Sequence, residues 1–169
     1  MCPRISCAPR SGEEEIVSGA YYFAYGSNLS AEQMRRRCPA AVALGVARLA
    51  DHRLAFTRWS PVWRGGVADV VPSAGAAVWG LLWQLTDEDL QALDGHEGHP
   101  VNYRRSLHTV EATGLGPHDA WVYEVVDKRS FVPPASAYLE ILLESAALLG
   151  LPAAHLAEVR TAADPADSA

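Results

Sequence analysis

The decapeptide AAVWGLLWQL, residues 76–85, limits the folds open to this chain more than any other stretch. Successive strand residues point to opposite faces, so a strand with one wet face alternates apolar and polar side chains. Here both alternating sets are apolar: Ala77, Trp79, Leu81 and Trp83 on one side, Val78, Gly80 and Leu82 on the other. Such a strand belongs at the centre of a sheet or in a barrel wall covered by helices.

The flanking segments can supply that covering. A first strand ends at Tyr25, and LSAEQMRRRCP after it reads as a short helix, with Ser30 as cap, Gln33 at the capping-box position and Pro39 past the stop. Residues 44–57 read as extended, with Leu54 and Phe56 alternating with Arg53 and Ala55. SPVWRGGVADVVPSAG reads as a Gly- and Pro-punctuated connection around a short apolar piece, Val67 to Val71. TDEDLQALDGHEG predicts a helix with Thr86 as N-cap, acids in the first turn, Leu90 and Leu93 on one side, and Gly95 as its stop. Strands near 103–112 and 119–127 follow, joined by the turn-rich GLGPHD. PASAYLEILLESAALLG then gives a helix with Tyr138, Ile141, Leu142, Ser145 and Leu149 near one stripe, closed by Gly150 and Pro152. Strands with interspersed helices but no steady βαβ repeat predict an α+β fold. Its sheet should be curved and mixed or largely antiparallel, or closed into a small β-barrel flanked by helices.

At 169 residues with 49% hydrophobic and 20% charged composition, one folded domain is expected, over 20–160, between a leader at 1–19 and a tail at 161–169. The net charge of −6 argues against a nucleic-acid partner, and the basic run Arg35 to Arg37, close to Glu32, reads as a solvated helix face. Three cysteines, Cys2, Cys7 and Cys38, do not make a disulfide framework, and no matching ligand motif follows the first two. The leader has no apolar signal core and the chain has no run of roughly 18 apolar residues, so a soluble cytoplasmic protein with no membrane partner is expected.

Two stretches carry chemistry. In YYFAYGSNLS, residues 21–30, a buried aromatic strand gives way at Gly26 to a Gly-Ser-Asn turn and then a helix start. A turn of this kind can aim backbone N–H groups at one spot that suits a carboxylate or a developing oxyanion. The same residues also serve ordinary strand-to-helix turns, and Ser27 is not in a G-x-S-x-G setting. In LDGHEGHPVNYRR, residues 93–105, Glu97 lies between His96 and His99, just past the expected helix stop. The histidines are not spaced as in HExxH, and Gly95, Gly98 and Pro100 disfavour a regular helix through them, so a metal site is not expected. A single buried carboxylate acting as general acid and base remains, against the alternative of an exposed loop glutamate.

Together these stretches resemble the γ-glutamylcyclotransferase family. FAYGSNL at 23–29 resembles its glycine loop, LDGHEG at 93–98 its catalytic segment, and PPASAYLEILLESAALLGLP at 133–152 its closing helix, with GLLWQLTDEDLQALD in order between them. The resemblance implies that the α-amine of a γ-glutamyl group attacks its own γ-carbonyl, giving 5-oxoproline and a free amine, with Glu97 moving the protons. It implies that Tyr25, Gly26, Ser27, Asn28 and Leu29 hold the γ-glutamyl group, and that Tyr103 and Tyr123, and by a similar claim Tyr138, stand near the pocket. It implies a small-molecule γ-glutamyl substrate, neither cofactor nor metal, and, by analogy, allows a homodimer. The leaving group is open between an amino acid or peptide and a natural-product intermediate freed of a γ-glutamyl mask. A binding module that keeps the pocket is the third alternative, which Glu97 argues against. Trp59, Trp63 and Arg64 are expected near the pocket's mouth if their segment lies beside the glycine loop.

Overall fold

The computed structural model describes residues 19–164, and the expected leader, apart from residue 19, lies outside them. Five strands close into a barrel in the order β1 (Ala20–Ala24), β3 (Gly65–Leu85), β2 (Val42–Ser60), β4 (Tyr103–Ala112) and β5 (Gly116–Val125). All pairings are antiparallel except the closing one, where β5 runs parallel to β1 at Tyr22↔Trp121. The fold is therefore α+β with a closed mixed sheet, one of the two settings open to the doubly apolar strand.

That strand behaves as its pattern dictates where the barrel closes around it. Val78 and Leu82 are fully buried on one face, and Leu81 and Trp83 are buried on the other, whereas Ala77 is only half-buried where the hairpin extends past the cover. The expected connection at 60–75 is instead mostly strand. Only Pro61–Arg64 turn, and β2 and β3 pair from Val42↔Gln84 to Ser60↔Gly65. Pro72, which has no N–H to give to a ladder, is tolerated because it sits opposite His52, beside an irregularity in the β2 register.

Four helices decorate the barrel: α1 (Ala31–Arg37), α2 (Asp87–Glu97), α3 (Ser136–Leu148) and α4 (Ala153–Ala162). Ser30 and Thr86 cap α1 and α2 as expected, accepting from the N–H groups of Gln33 and Asp89. Burial of Leu90 and Leu93 seats α2, each contributing roughly 1.5–3 kcal/mol. Gly95 does not stop α2. The helix runs on to Glu97 and ends at Gly98, whose φ of 65° is left-handed, with the His99 N–H bonded back to the Asp94 carbonyl at 2.9 Å. The consequence is functional: Glu97 occupies the last turn of a packed helix and not a free loop.

The hairpin after β4 is tighter than expected, so β5 begins at Gly116. The helix α4, with His155 and Val159 buried, was not anticipated, and it carries ordered structure to Ala162, into the stretch expected as tail. Pro152 introduces it without any side-chain cap, so the usual start signal is missing. No helix of the described residues is long and apolar enough to cross a membrane.

Candidate active site

At the end of β1 the chain enters a 3₁₀ turn, Ser27–Leu29, before α1 begins. This turn, not the first turn of α1, faces the pocket, because Ser30 already caps that helix. Its position depends on Gly26: a Cβ there would lie 2.8 Å from the Tyr138 hydroxyl on α3. Glycine is what lets strand, turn and α3 meet.

The turn and the end of α2 face each other across a small cavity of about 40 Å³, lined by Tyr22, Tyr25, Gly26, Ser27, Asn28, Ala68, Glu97, Tyr103, Tyr123 and Tyr138. Of the residues expected to form a site, all but Leu29 line this space. Leu29 is buried in the core and anchors the turn from below. Tyr22, not among the residues expected at the site, joins the wall.

Glu97 has a side chain only 15% exposed. Its Oε1 accepts from Asn28 Nδ2 at 3.0 Å and lies 3.4 Å from Arg37 Nη1. Burial pushes its carboxyl above the ordinary glutamate value, and the charges of Arg37 and Arg58 and the Asn28 hydrogen bond only partly oppose that. Arg37 also donates to Asn28 Oδ1 at 3.0 Å, and Gln33 Nε2 donates to Asn28 Oδ1 at 2.9 Å and Ser27 Oγ at 2.8 Å. Two expectations are corrected here. Gln33 fastens the turn's side chains instead of closing a capping box, and Arg37 leaves the solvated face to pair with Glu97, while Arg35 and Arg36 remain exposed.

The tyrosines divide into two kinds. Tyr25 donates to the Tyr123 carbonyl, Tyr103 to the Ala68 carbonyl at 2.9 Å, and Tyr123 to Asp94 Oδ1 at 2.6 Å. Their protons are held by the scaffold. Tyr22 instead accepts from Asn28 Nδ2 at 2.9 Å, and Tyr138 accepts from the Ala68 N–H at 3.1 Å. Neither has an acceptor for its own proton among the described residues, so these two hydroxyls can donate into the cavity. Burial raises the Tyr138 hydroxyl to about 12 and moves Tyr22 further up, so both stay protonated donors at neutral pH.

A second cavity of about 190 Å³ opens from the first, sharing Ser27, Glu97, Tyr103 and Tyr138. Arg37, Arg58, His96, Val62 and Trp63 help form its walls, and the Trp63 ring meets Tyr138 edge-on, 5.1 Å between centroids. Trp63 thus stands at the mouth as expected, whereas Trp59 is solvent-exposed and neither Trp59 nor Arg64 lines the opening. Another cavity, of about 560 Å³ between α4 and the β2–β3 hairpin, contains His155 but neither Glu97 nor the turn. Chemistry is assigned to the smaller pair because the buried carboxylate and the donors converge there.

The family model described as "Gamma-glutamyl cyclotransferase, AIG2-like" matches residues 22–140. A curated "Gamma-glutamylcyclotransferase" of Bos taurus is 35% identical over 136 residues, covering 78% of this chain and 72% of the relative, and that of Homo sapiens is 33% identical over 150 residues, covering 86% and 79%. A solved structure titled "Gamma-glutamyl cyclotransferase" superimposes with a TM-score of 0.79 at 31% identity, covering 84% of this chain and 86% of the other. The matched stretch contains the glycine turn, Glu97 and all the tyrosines of the cavity, and the chain belongs to the AIG2-like γ-glutamyl cyclotransferase family.

Proposed function

We propose that this protein is a γ-glutamylcyclotransferase that cyclises the γ-glutamyl end of a small substrate and releases the attached amine. One observation carries the reading most: a mostly buried carboxylate with a raised pKa faces hydroxyl donors across a small cavity. Intramolecular attack needs no second reactant. The enzyme's task is to hold a cyclisation-ready conformer, and such positioning can lower a barrier by about 7–11 kcal/mol at best.

In this reading Glu97, ionised, takes a proton from the substrate's α-ammonium. The freed amine attacks the γ-carbonyl carbon, forming the ring C–N bond and a tetrahedral oxyanion. Glu97 then gives its proton to the departing nitrogen as the original C–N bond breaks, and the second proton of the ring nitrogen passes through the freed Glu97 to the released amine, leaving 5-oxoproline and an ammonium product. The Tyr22 and Tyr138 hydroxyls supply donors for the substrate's oxygens, in place of Tyr103 and Tyr123, whose protons are already committed.

The outer cavity receives the leaving group. Among the described residues its walls bring Arg37, Arg58 and His96 together with one carboxylate, Glu97, and Arg37 is already paired with it. Arg58 is then the cation available to a leaving group, which favours an amine that carries its own carboxylate, as an amino acid or peptide does, over a cationic natural-product amine. A panel of γ-glutamyl amino acids, γ-glutamyl amines and their α-N-acetyl derivatives, with products identified by mass spectrometry, tests this. The expected result is 5-oxoproline plus free amino acid from unblocked substrates and no turnover of the N-acetylated ones. Turnover of the blocked substrates overturns it.

A further inference from the structure

We propose that the barrel carries a site for a divalent transition-metal ion, of the zinc type, made by His52 of β2, His108 of β4 and Glu124 of β5. These residues are 56 and 16 positions apart in the chain, so no spacing motif announces them; only barrel closure makes their strands neighbours. One ligand atom from each lies within 4.8 Å of the others. His108 Nε2 and Glu124 Oε2 are 3.4 Å apart, close to the about 3.3 Å that a tetrahedral ion with ligand bonds near 2.0–2.1 Å imposes. The His52 and His108 rings stand edge-to-face with centroids 5.2 Å apart, so closing the set asks for a small rotation of His52.

The surrounding contacts prepare the ligands. His52 Nδ1 lies 2.8 Å from the Ala50 carbonyl, and because a carbonyl only accepts, that nitrogen carries the proton and Nε2 keeps its lone pair. Ser106 donates to Glu124 Oε2 and holds the carboxylate in place. The nearby cation Lys128 is taken by Asp69, at 2.5 Å. Two imidazoles and a carboxylate suit zinc-like ions, and the remaining positions would hold water because all three residues are half-buried.

The place is informative as well. β2 and β4 pair only at Ala47↔Ala112 and Arg48↔Glu111, and His52 and His108 lie beyond the point where those ladder bonds stop. An ion there clips a seam that backbone hydrogen bonds leave open. Neighbouring strand residues face opposite ways, so Glu124 points away from the cavity that Tyr123 lines, and the ion stabilises the fold without joining the cyclisation.

The test titrates untagged protein with zinc against a chromogenic chelator and follows thermal unfolding, for wild type, H52A, H108A and E124Q. The expected result is one equivalent bound by wild type, a midpoint that climbs with free zinc, and affinity weakened at least about tenfold in each variant. 5-Oxoproline formation is expected to survive removal of the metal. No saturable binding by wild type, or undiminished binding by H52A and H108A, overturns the site. H52A keeps the test decisive if H108A fails to fold, because His52 contacts its surroundings only through the Ala50 carbonyl and the His108 ring among the described contacts.

Discussion

The inner cavity and the outer one share four wall residues, yet they are built on opposite plans. The inner wall is five tyrosines, one carboxylate, Ala68 and the stretch Gly26 to Asn28, with most of its polar side chains tied to another part of the fold. The outer wall mixes cations with Val62 and Trp63, and its Arg58 side chain lies over the Tyr103 ring at a long 6.0 Å to the centroid. The difference separates two tasks. Cyclisation concerns only the γ-glutamyl group and needs a rigid mould, whereas the departing amine varies and needs only a compatible field.

If that division is right, damage to the inner wall strikes turnover with every substrate, and damage to the outer wall changes the ranking of substrates. The largest effect is expected for Glu97→Gln, a loss of about 10²- to 10⁴-fold in kcat, with unchanged circular dichroism and unfolding midpoint. Near-native turnover in a folded variant would remove Glu97 from proton transfer. Next comes Gly26→Ala, whose new methyl collides with the Tyr138 hydroxyl and displaces the turn. Misplacement on that scale costs up to about 100-fold, and kcat/KM should fall alike for all leaving groups. A loss confined to some leaving groups would merge the two cavities.

Arg37→Gln sits on the boundary and sharpens the comparison through pH. Glu97 must be ionised to accept a proton, so activity should fall as pH drops through its raised pKa, placing the acid limb of kcat/KM above the ordinary glutamate value of 4.5. Arg37 favours the ionised form, so its removal raises that pKa further and moves the acid limb to higher pH. A limb that stays put, or moves down, contradicts the pairing. The smallest effect is expected for Arg58→Ala, a KM increase of up to about fivefold for γ-glutamyl amino acids, with no change for γ-glutamyl amines. Equal effects on both would show that Arg58 does not read the leaving carboxylate.

The same contrast explains what could be read from residues alone. The two faces of residues 76–85 and the caps at Ser30 and Thr86 were legible because each is set by neighbours in sequence, whereas Glu97 was singled out by family resemblance and its burial waits on the fold. The α2 terminus was misread at Gly95 because a glycine inside a helix looks like a stop, while the true stop depends on Gly98 taking a left-handed φ. The β2–β3 hairpin hid behind Pro72 and the local irregularity that accommodates it. Tyr22 and Arg37 escaped notice because their roles depend on contacts to Asn28 and Glu97 that only the folded chain makes; for Arg37 the surrounding RRR run even suggested a solvated face. Residues that bond across the barrel leave no periodic trace, and Asp69, fully buried among Thr57, Lys128 and the Val125 N–H, is the clearest case.

The central claim is that the nucleophile comes from the substrate itself. Turnover of γ-glutamylalanine in ¹⁸O-water, with products resolved by mass, tests it most directly. The account predicts unlabelled 5-oxoproline and alanine in equal amounts; glutamate carrying ¹⁸O in its γ-carboxylate would show that water attacks and would contradict it.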